Sequence, residues 1–143
     1  MSTLGQTTFA TLGQNFHVCA DLAHTRFKAG GGTLNFTPVT AEAADRTLTS
    51  GRVVKAGDKV MEAGTIVFLS AGYYIPALTA STIVRGEVFI LDTDAVLSDA
   101  GGEVTGSLFD NGPAYYSRIR VGGTGLSAAN MLVAFPGVEF VKD

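Results

Sequence analysis

Both histidines and the single cysteine of the chain lie near its N-terminus, and imidazole and thiolate groups are metal ligands. His17, Cys19 and His24 form the pattern H-x-C-x4-H. A structural zinc site normally takes four protein ligands, and a catalytic one takes three and a water molecule. The sequence has no other cysteine or histidine to complete such a set. We therefore expect no metal site, and we expect Cys19 to be a small buried side chain.

A second group of candidate ligands is acidic. Asp92 and Asp94 are followed by Asp99 and Glu103, a density of carboxylates that suggests calcium. The sixth position counted from Asp92 is a leucine where a calcium loop needs glycine, and the fifth, a ligand position, is a valine. We interpret these acids as solvated turns between strands.

Catalytic patterns are missing from the sequence. There is no G-x-S-x-G or H-E-x-x-H motif, and the two histidines are far from the other polar clusters. The glycines of residues 122–128 form G-x-G-x-x-A, but too little chain follows for a dinucleotide-binding βαβ unit. We therefore predict no catalytic residues, no cofactor and no enzymatic activity.

Composition favours a β-rich domain that has a partner. The 143 residues are 46% hydrophobic and only 16% charged, against about 25% charged in an average domain. Eighteen glycines are spread between short apolar runs, as in a protein rich in turns. The net charge of −3 comes with scattered basic residues, which excludes a nucleic-acid-binding stripe. No apolar run reaches the ~20 residues of a membrane span, and no signal peptide is recognisable.

The elements that must position these residues are short strands. Residues 51–91 alternate β-branched residues with glycine turns, which is typical of hairpins. Residues 33–37 and 135–141 read as further strands, whereas residues 41–46, 127–133 and part of 16–27 are compatible with short helices. The predicted fold is mainly β: a compact, tulip-type β-barrel or sandwich in one domain, with one or two short helices and an extended N-terminal arm.

We predict an arm over residues 1–32 and a β-rich body over residues 33–143. The arm carries a repeat, T-L-G-Q at residues 3–6 and 11–14, with isolated apolar side chains at Leu4, Phe9, Leu12 and Phe16. So few apolar groups cannot offset a backbone ordering cost of about 1–2 kcal/mol per residue. An extended segment of this kind suits strand addition to the sheet edge of a partner. A frayed terminus without a role is the alternative.

One local resemblance concerns residues 54–66, which are similar to the G-D-x-V-x-x-G hairpin of biotinyl and lipoyl carrier domains. A carrier needs an acceptor lysine on a later hairpin, and no lysine occurs between Lys59 and Lys142. What remains of the pattern is its glycine turns between short strands.

A longer resemblance rests on the order of several pieces. They are residues 53–54, 64–67, 72–77, 84–95 with their D-x-D-A, 104–112 and 115–119. In this order they resemble the head decoration, or capsid cement, proteins of tailed bacteriophages. The resemblance implies a homotrimer at capsid three-fold positions, on the outer surface of the virion. It also implies that the major capsid protein is the partner and that the arm augments its sheets.

The alternative from another class is a β-barrel binding module for a small molecule or carbohydrate. Tyr73, Tyr74, Tyr115 and Tyr116 would form its aromatic platform, although paired tyrosines are more often strand and interface residues.

Overall fold

The computed structural model describes residues 16–76, 88–98, 101–120 and 135–142, and the protein is mainly β. Within these ranges the helical elements are two single turns of 3-10 helix, Leu22–His24 and Tyr116–Arg118. The strands are β1 (Arg26–Phe27), β2 (Gly32–Leu34), β3 (Arg46–Thr47), β4 (Val53–Val54), β5 (Lys59–Met61), β6 (Ile66–Ser70), β7 (Tyr73–Pro76), β8 (Val88–Leu91), β9 (Ala95–Leu97), β10 (Val104–Gly106), β11 (Leu108–Tyr115) and β12 (Gly137–Val141).

Most strands belong to one sheet, which curls into a half-barrel. Its order is β1-β11-β8-β6-β7-β2-β10, and β12 pairs in parallel with β11. Two short ribbons, β3–β4 and β5–β9, complete the described part. The predicted class, a compact β domain of barrel or sandwich type, is confirmed.

Glycine turns shape the central region as the sequence predicted. Gly57 and Gly64 both have φ of 93°, a conformation that other residues adopt only with strain. A Cβ atom on Gly64 would lie 1.7 Å from the carbonyl oxygen of Arg118, so this turn also requires the absence of a side chain. The local hairpin interpretation fails at β5, which pairs with β9 instead of a sequence neighbour.

The core divides into two clusters, one on either side of the curled sheet's central strands. Members of the first include Val18, Ile66, Ile90 and Phe109, all essentially inaccessible. The second cluster is built from Leu34, Phe36, Met61, Val67, Tyr74, Leu91, Ala95 and Leu108. Neighbouring residues of β6 and β8 supply opposite clusters because successive side chains of a strand point to opposite faces.

The predicted boundary between arm and body, at residue 33, is wrong for residues 16–32. Val18 and Cys19 lie in the first core cluster, and Phe27 packs against it. β1 pairs antiparallel with β11. The helical spacing of residues 16–27 yields only the Leu22–His24 turn, because the backbone on both sides of that turn is paired with β11. Residues 16–32 therefore belong to the body.

The remaining helix and strand predictions have mixed outcomes. Residues 41–46 form no helix, since Glu42 exchanges backbone hydrogen bonds with the turn at Gly57 and Asp58, and β3 begins at Arg46. The strands predicted at 33–37 and 135–141 are observed as the shorter β2 and β12. The helix predicted at 127–133 lies outside the described residues, as do Leu4, Phe9 and Leu12.

In the described part of the chain, no helix has the length and apolar character needed to cross a membrane.

Candidate functional site

The candidate site is the place where residues 16–20, here called the anchored segment, join the body. The segment runs antiparallel to the end of β11, with Cys19 opposite Ala114. The amide of Tyr115 donates to the carbonyl of Val18 at 2.9 Å, and the amide of Ala20 donates to that of Pro113 at 2.8 Å. The anchored segment is thus joined to the edge of β11 by an isolated β-bridge.

Asp92 fastens this segment from the side. It directly follows β8 and is only 1% exposed. Its Oδ1 accepts hydrogen bonds from the amides of Val18 and Cys19, both at 2.9 Å, and its Oδ2 lies 2.6 Å from Nδ1 of His17. Burial of a carboxylate is costly unless it is paired and hydrogen-bonded. Within the described ranges, the side chain of Asp92 meets that condition through the anchored segment.

The Arg118 side chain supports the segment from the other side. Its Nη1 donates to the carbonyl oxygen of His17 at 2.7 Å. The guanidinium carbon lies 4.5 Å from the ring centroid of Phe16 and 4.4 Å from that of Tyr115, which are cation–π distances. Phe16 is the one predicted capsid-binding residue that the structure describes. Its ring packs against the guanidinium group of Arg118 and so lies against the body.

Cys19 is a neutral thiol at ordinary pH. Burial raises its pKa from 9.0 to about 12, and the negative charge of Asp92 and a hydrogen bond to it act in the same direction. The thiolate is the nucleophilic form of cysteine, so Cys19 is unsuited to nucleophilic chemistry. Cys19 is buried, as lone cysteines with apolar neighbours usually are.

Three possible metal ligands nevertheless meet at the anchored segment. One ligand atom each from His17, Cys19 and Asp92 lie within 4.8 Å of one another. His24, the other histidine of the sequence pattern, is not among them; its Nδ1 lies 2.5 Å from Oδ2 of the exposed Asp21. Sequence analysis considered Asp92 only as a calcium ligand and did not combine it with His17, which is 75 residues away. The D-x-D-A pattern that begins at Asp92 was the sequence signal that could have pointed to this residue.

Asp92 and Asp94 lie in the turn between β8 and β9, as predicted, but the expectation that they are solvated is wrong, since Asp92 is buried and Asp94 is partly buried. Oδ1 of Asp94 accepts a hydrogen bond from the amide of Ala63 at 2.7 Å, and its Oδ2 accepts one from the hydroxyl of Ser50. Both aspartates thus bind backbone amides of segments distant in sequence. The amides of Cys19 and Ala63 donate to these carboxylates, whereas the amide of Val18 is shared between Oδ1 and the backbone carbonyl of Asp92.

The four tyrosines do not share a surface. Tyr74 is buried and packs edge-on against Phe89, whereas Tyr116 packs against Phe140. Tyr115 contacts Arg118. Tyr73 alone of the four lines a groove of about 310 Å³, whose lining also includes Phe36, Lys59 and Glu103. The predicted aromatic platform of four tyrosines is therefore not formed.

Several large apolar side chains are exposed on the described surface. They are Leu22, Val53, Leu69, Tyr73 and Tyr116. Scattered exposed apolar residues are normal in soluble proteins, so by themselves these five define no interface.

Comparison with protein-family models, with curated proteins and with solved structures yields no significant match to this chain.

Proposed function

We propose that this protein is a phage capsid decoration protein. It binds the shell of the major capsid protein through its N-terminal arm, as a homotrimer at three-fold positions on the outer surface of the virion. The observation that carries the proposal is the anchorage of residues 16–20, which holds the residues that follow the arm against the body.

The anchorage supports this function through the entropy of binding. A partner that captures an extended segment must offset the cost of ordering it. Residues 18–20 are already hydrogen-bonded to β11, so binding to the shell does not bear the cost of ordering them. The apolar side chains of Leu4, Phe9 and Leu12 precede Phe16 in the sequence and supply the contacts with the capsid protein.

Capsid stabilisation follows from mass action. A protein that binds the assembled shell and not its dissociated subunits lowers the free energy of the assembled state. In a trimer, docking of the first arm raises the effective concentration of the other two. No catalytic residue or cofactor takes part in this mechanism.

The test is co-sedimentation with expanded, undecorated shells assembled from the major capsid protein of the same genome. The full chain is compared with a chain lacking residues 1–15. A chain beginning at Thr33 would also lose Val18 and Cys19 from the core, and would test folding instead of docking. Stoichiometric binding by the full chain, lost on removal of residues 1–15, is the expected result. No binding by the well-folded full chain would overturn the proposal.

A matched pair of variants separates the apolar anchors from the rest of the arm. Leu4, Phe9 and Leu12 are replaced together by serine in one variant, and Thr3, Thr7 and Thr11 by serine in the other. Each buried apolar side chain contributes about 1.5–3 kcal/mol, so the first variant should bind shells more than about a hundredfold more weakly. The threonine variant should bind as the unmodified chain does. Equally strong binding by both variants would show that Leu4, Phe9 and Leu12 do not contribute to binding of the shell.

A second candidate function is the binding of a small molecule or carbohydrate, and the groove beside Tyr73 favours it. An exposed aromatic ring next to Lys59 and Glu103 is a usual combination for a polar ligand, and the volume is at the lower end of ligand sites. A saturable rise in melting temperature with a glycan or metabolite, abolished by Tyr73→Ala and unaffected by removal of residues 1–15, would support it. If no compound raises the melting temperature, this function is discarded.

A further inference from the structure

We propose that His17, Cys19 and Asp92 form a zinc site that locks the anchored segment to the body. The inference does not depend on the proposed capsid function. It rests on the convergence of an imidazole, a thiol and a carboxylate within 4.8 Å of one another, two of them buried, in a part of the chain where no catalytic role uses them.

The donor set selects the metal. Calcium and magnesium take oxygen ligands, whereas a thiolate and an imidazole suit a softer divalent ion. One sulfur, one nitrogen and one oxygen with a fourth position for water is a zinc arrangement. The His17 side chain is 31% exposed, so the fourth position and the path of entry are on its side.

The distances require only a small adjustment. Ligand atoms about 2.0–2.3 Å from a tetrahedral zinc ion lie roughly 3.3–3.7 Å from one another. His17 Nδ1 and Asp92 Oδ2 are now 2.6 Å apart and hydrogen-bonded, so they must separate by about 1 Å while Cys19 Sγ approaches them. Rotation of the half-exposed imidazole ring accomplishes most of this.

The surrounding hydrogen bonds already orient two of the ligands. The amides of Val18 and Cys19 hold Oδ1 of Asp92, which leaves Oδ2 to face the ion. Arg118 holds the carbonyl of His17 and so fixes the backbone that carries the imidazole. Such supporting contacts are typical of metal sites and strengthen them.

The proton balance of binding is defined. The Cys19 thiol gives up its proton to form the zinc–sulfur bond, and that proton is released to the buffer. The imidazole of His17 binds through the Nδ1 lone pair, with its ring proton on Nε2, and Asp92 contributes Oδ2. Zinc binding therefore releases the Cys19 proton without change of oxidation state.

Cobalt titration of the chelator-treated full chain is the direct test. Co²⁺ in a tetrahedral thiolate site gives a near-ultraviolet sulfur-to-metal absorption band and strong visible bands. We expect one Co²⁺ per chain, displacement by Zn²⁺, and release of at least one proton per Zn²⁺ measured calorimetrically in two buffers. Absence of the sulfur-to-metal band at saturating Co²⁺ would overturn the proposal.

Three variants assign the ligands. Cys19 is the only cysteine of the chain. Cys19→Ser therefore removes the thiolate ligand and should abolish the sulfur-to-metal band. His17→Gln should weaken Zn²⁺ binding by at least about tenfold, while the control His24→Gln, at a histidine paired with exposed Asp21, should bind Zn²⁺ as the unmodified chain does. Equal weakening by both glutamine variants would place the metal elsewhere and refute the site.

A stability readout keeps the test decisive if a variant folds poorly. Zn²⁺ that binds only the folded chain raises the melting temperature. The rise should occur in the unmodified chain and in His24→Gln, and should be smaller in His17→Gln at the same Zn²⁺ concentration. If Zn²⁺ leaves the melting temperature of the unmodified chain unchanged, zinc does not fix the anchored segment to the body and the proposal is contradicted.

Discussion

The protein contains two histidine–aspartate pairs of nearly equal length and very different surroundings. His17 and Asp92 approach to 2.6 Å with side-chain exposures of 31% and 2%. His24 and Asp21 approach to 2.5 Å with exposures of 77% and 46%. The first pair joins residues 75 positions apart, whereas the second lies within a single helical turn.

The difference shows that contact distance alone does not measure what a pair contributes. Exposed ion pairs contribute little because water and salt screen them. A buried carboxylate that loses its partners, or a buried amide that loses its acceptor, costs far more. Asp92 accepts hydrogen bonds from two amides and contacts one imidazole. Its contribution to stability therefore comes from the groups that would lose a partner without it. The predictions below test this contrast.

The largest effect is expected for Asp92→Ala. The substitution leaves the amides of Val18 and Cys19 without their side-chain acceptor, in the core. We expect the free energy of unfolding to fall by about 3–5 kcal/mol, measured by urea denaturation with a chelator present. If Asp92→Ala lowers the free energy of unfolding no more than Asp21→Ala does, the contrast between the buried and the exposed pair is refuted.

Asp94→Ala should come second. Asp94 binds one backbone amide, that of Ala63, and the hydroxyl of Ser50, and it is only partly buried. Loss of one amide acceptor in such a position should lower the free energy of unfolding by about 1–2 kcal/mol. The same denaturation series measures it, and a value above that of Asp92→Ala would reverse the order of the two aspartates.

A smaller effect is expected for His17→Gln in metal-free conditions. The glutamine removes one hydrogen bond to Asp92 Oδ2 but leaves both amide bonds to Oδ1 in place. We expect a loss of about 1 kcal/mol, read from the shift of the denaturation midpoint at unchanged slope. If the loss equals that of Asp92→Ala, the histidine and not the amides governs the anchorage.

The smallest effect is expected for Asp21→Ala. The hydrogen bond from His24 is the main cause that lowers the pKa of Asp21 below its usual value. A lowered pKa in the folded state means that any stabilisation is present above the usual value and disappears as the pH falls through the lowered one. The melting temperatures of the variant and the unmodified chain should differ little at neutral pH and converge on acidification. A large difference at neutral pH would contradict the screening argument.

The sequence predicted those parts of the fold that depend on local patterns. The β class and the turns at Gly57 and Gly64 follow from alternation and glycine placement, and both are confirmed. The arm boundary at residue 33 was wrong because Val18 and Cys19 join the core by pairing with β11, a contact between distant parts of the chain. Local patterns carry no information about such pairing.

The candidate site was less predictable than the fold. His17 and Cys19 were recognised as possible ligands, but Asp92 was interpreted as part of a solvated turn. Nothing in the residues around Asp92 reveals that two amides from residues 18 and 19 cover it. The side chain of Arg118 was missed for the same reason, since its contacts with Phe16 and His17 cross most of the chain.

Strand β11 has residues 18–20 on one edge and β12 on the other, and this has a consequence for synthesis on the ribosome. Residues 16–20 are made early, yet Asp92, Ala114 and Arg118, which hold them, are made late. The anchored segment must therefore wait with Phe16 and Val18 exposed to water while most of the body is translated. The anchored segment is thus made before the residues that hold it and is among the last parts to be put in place.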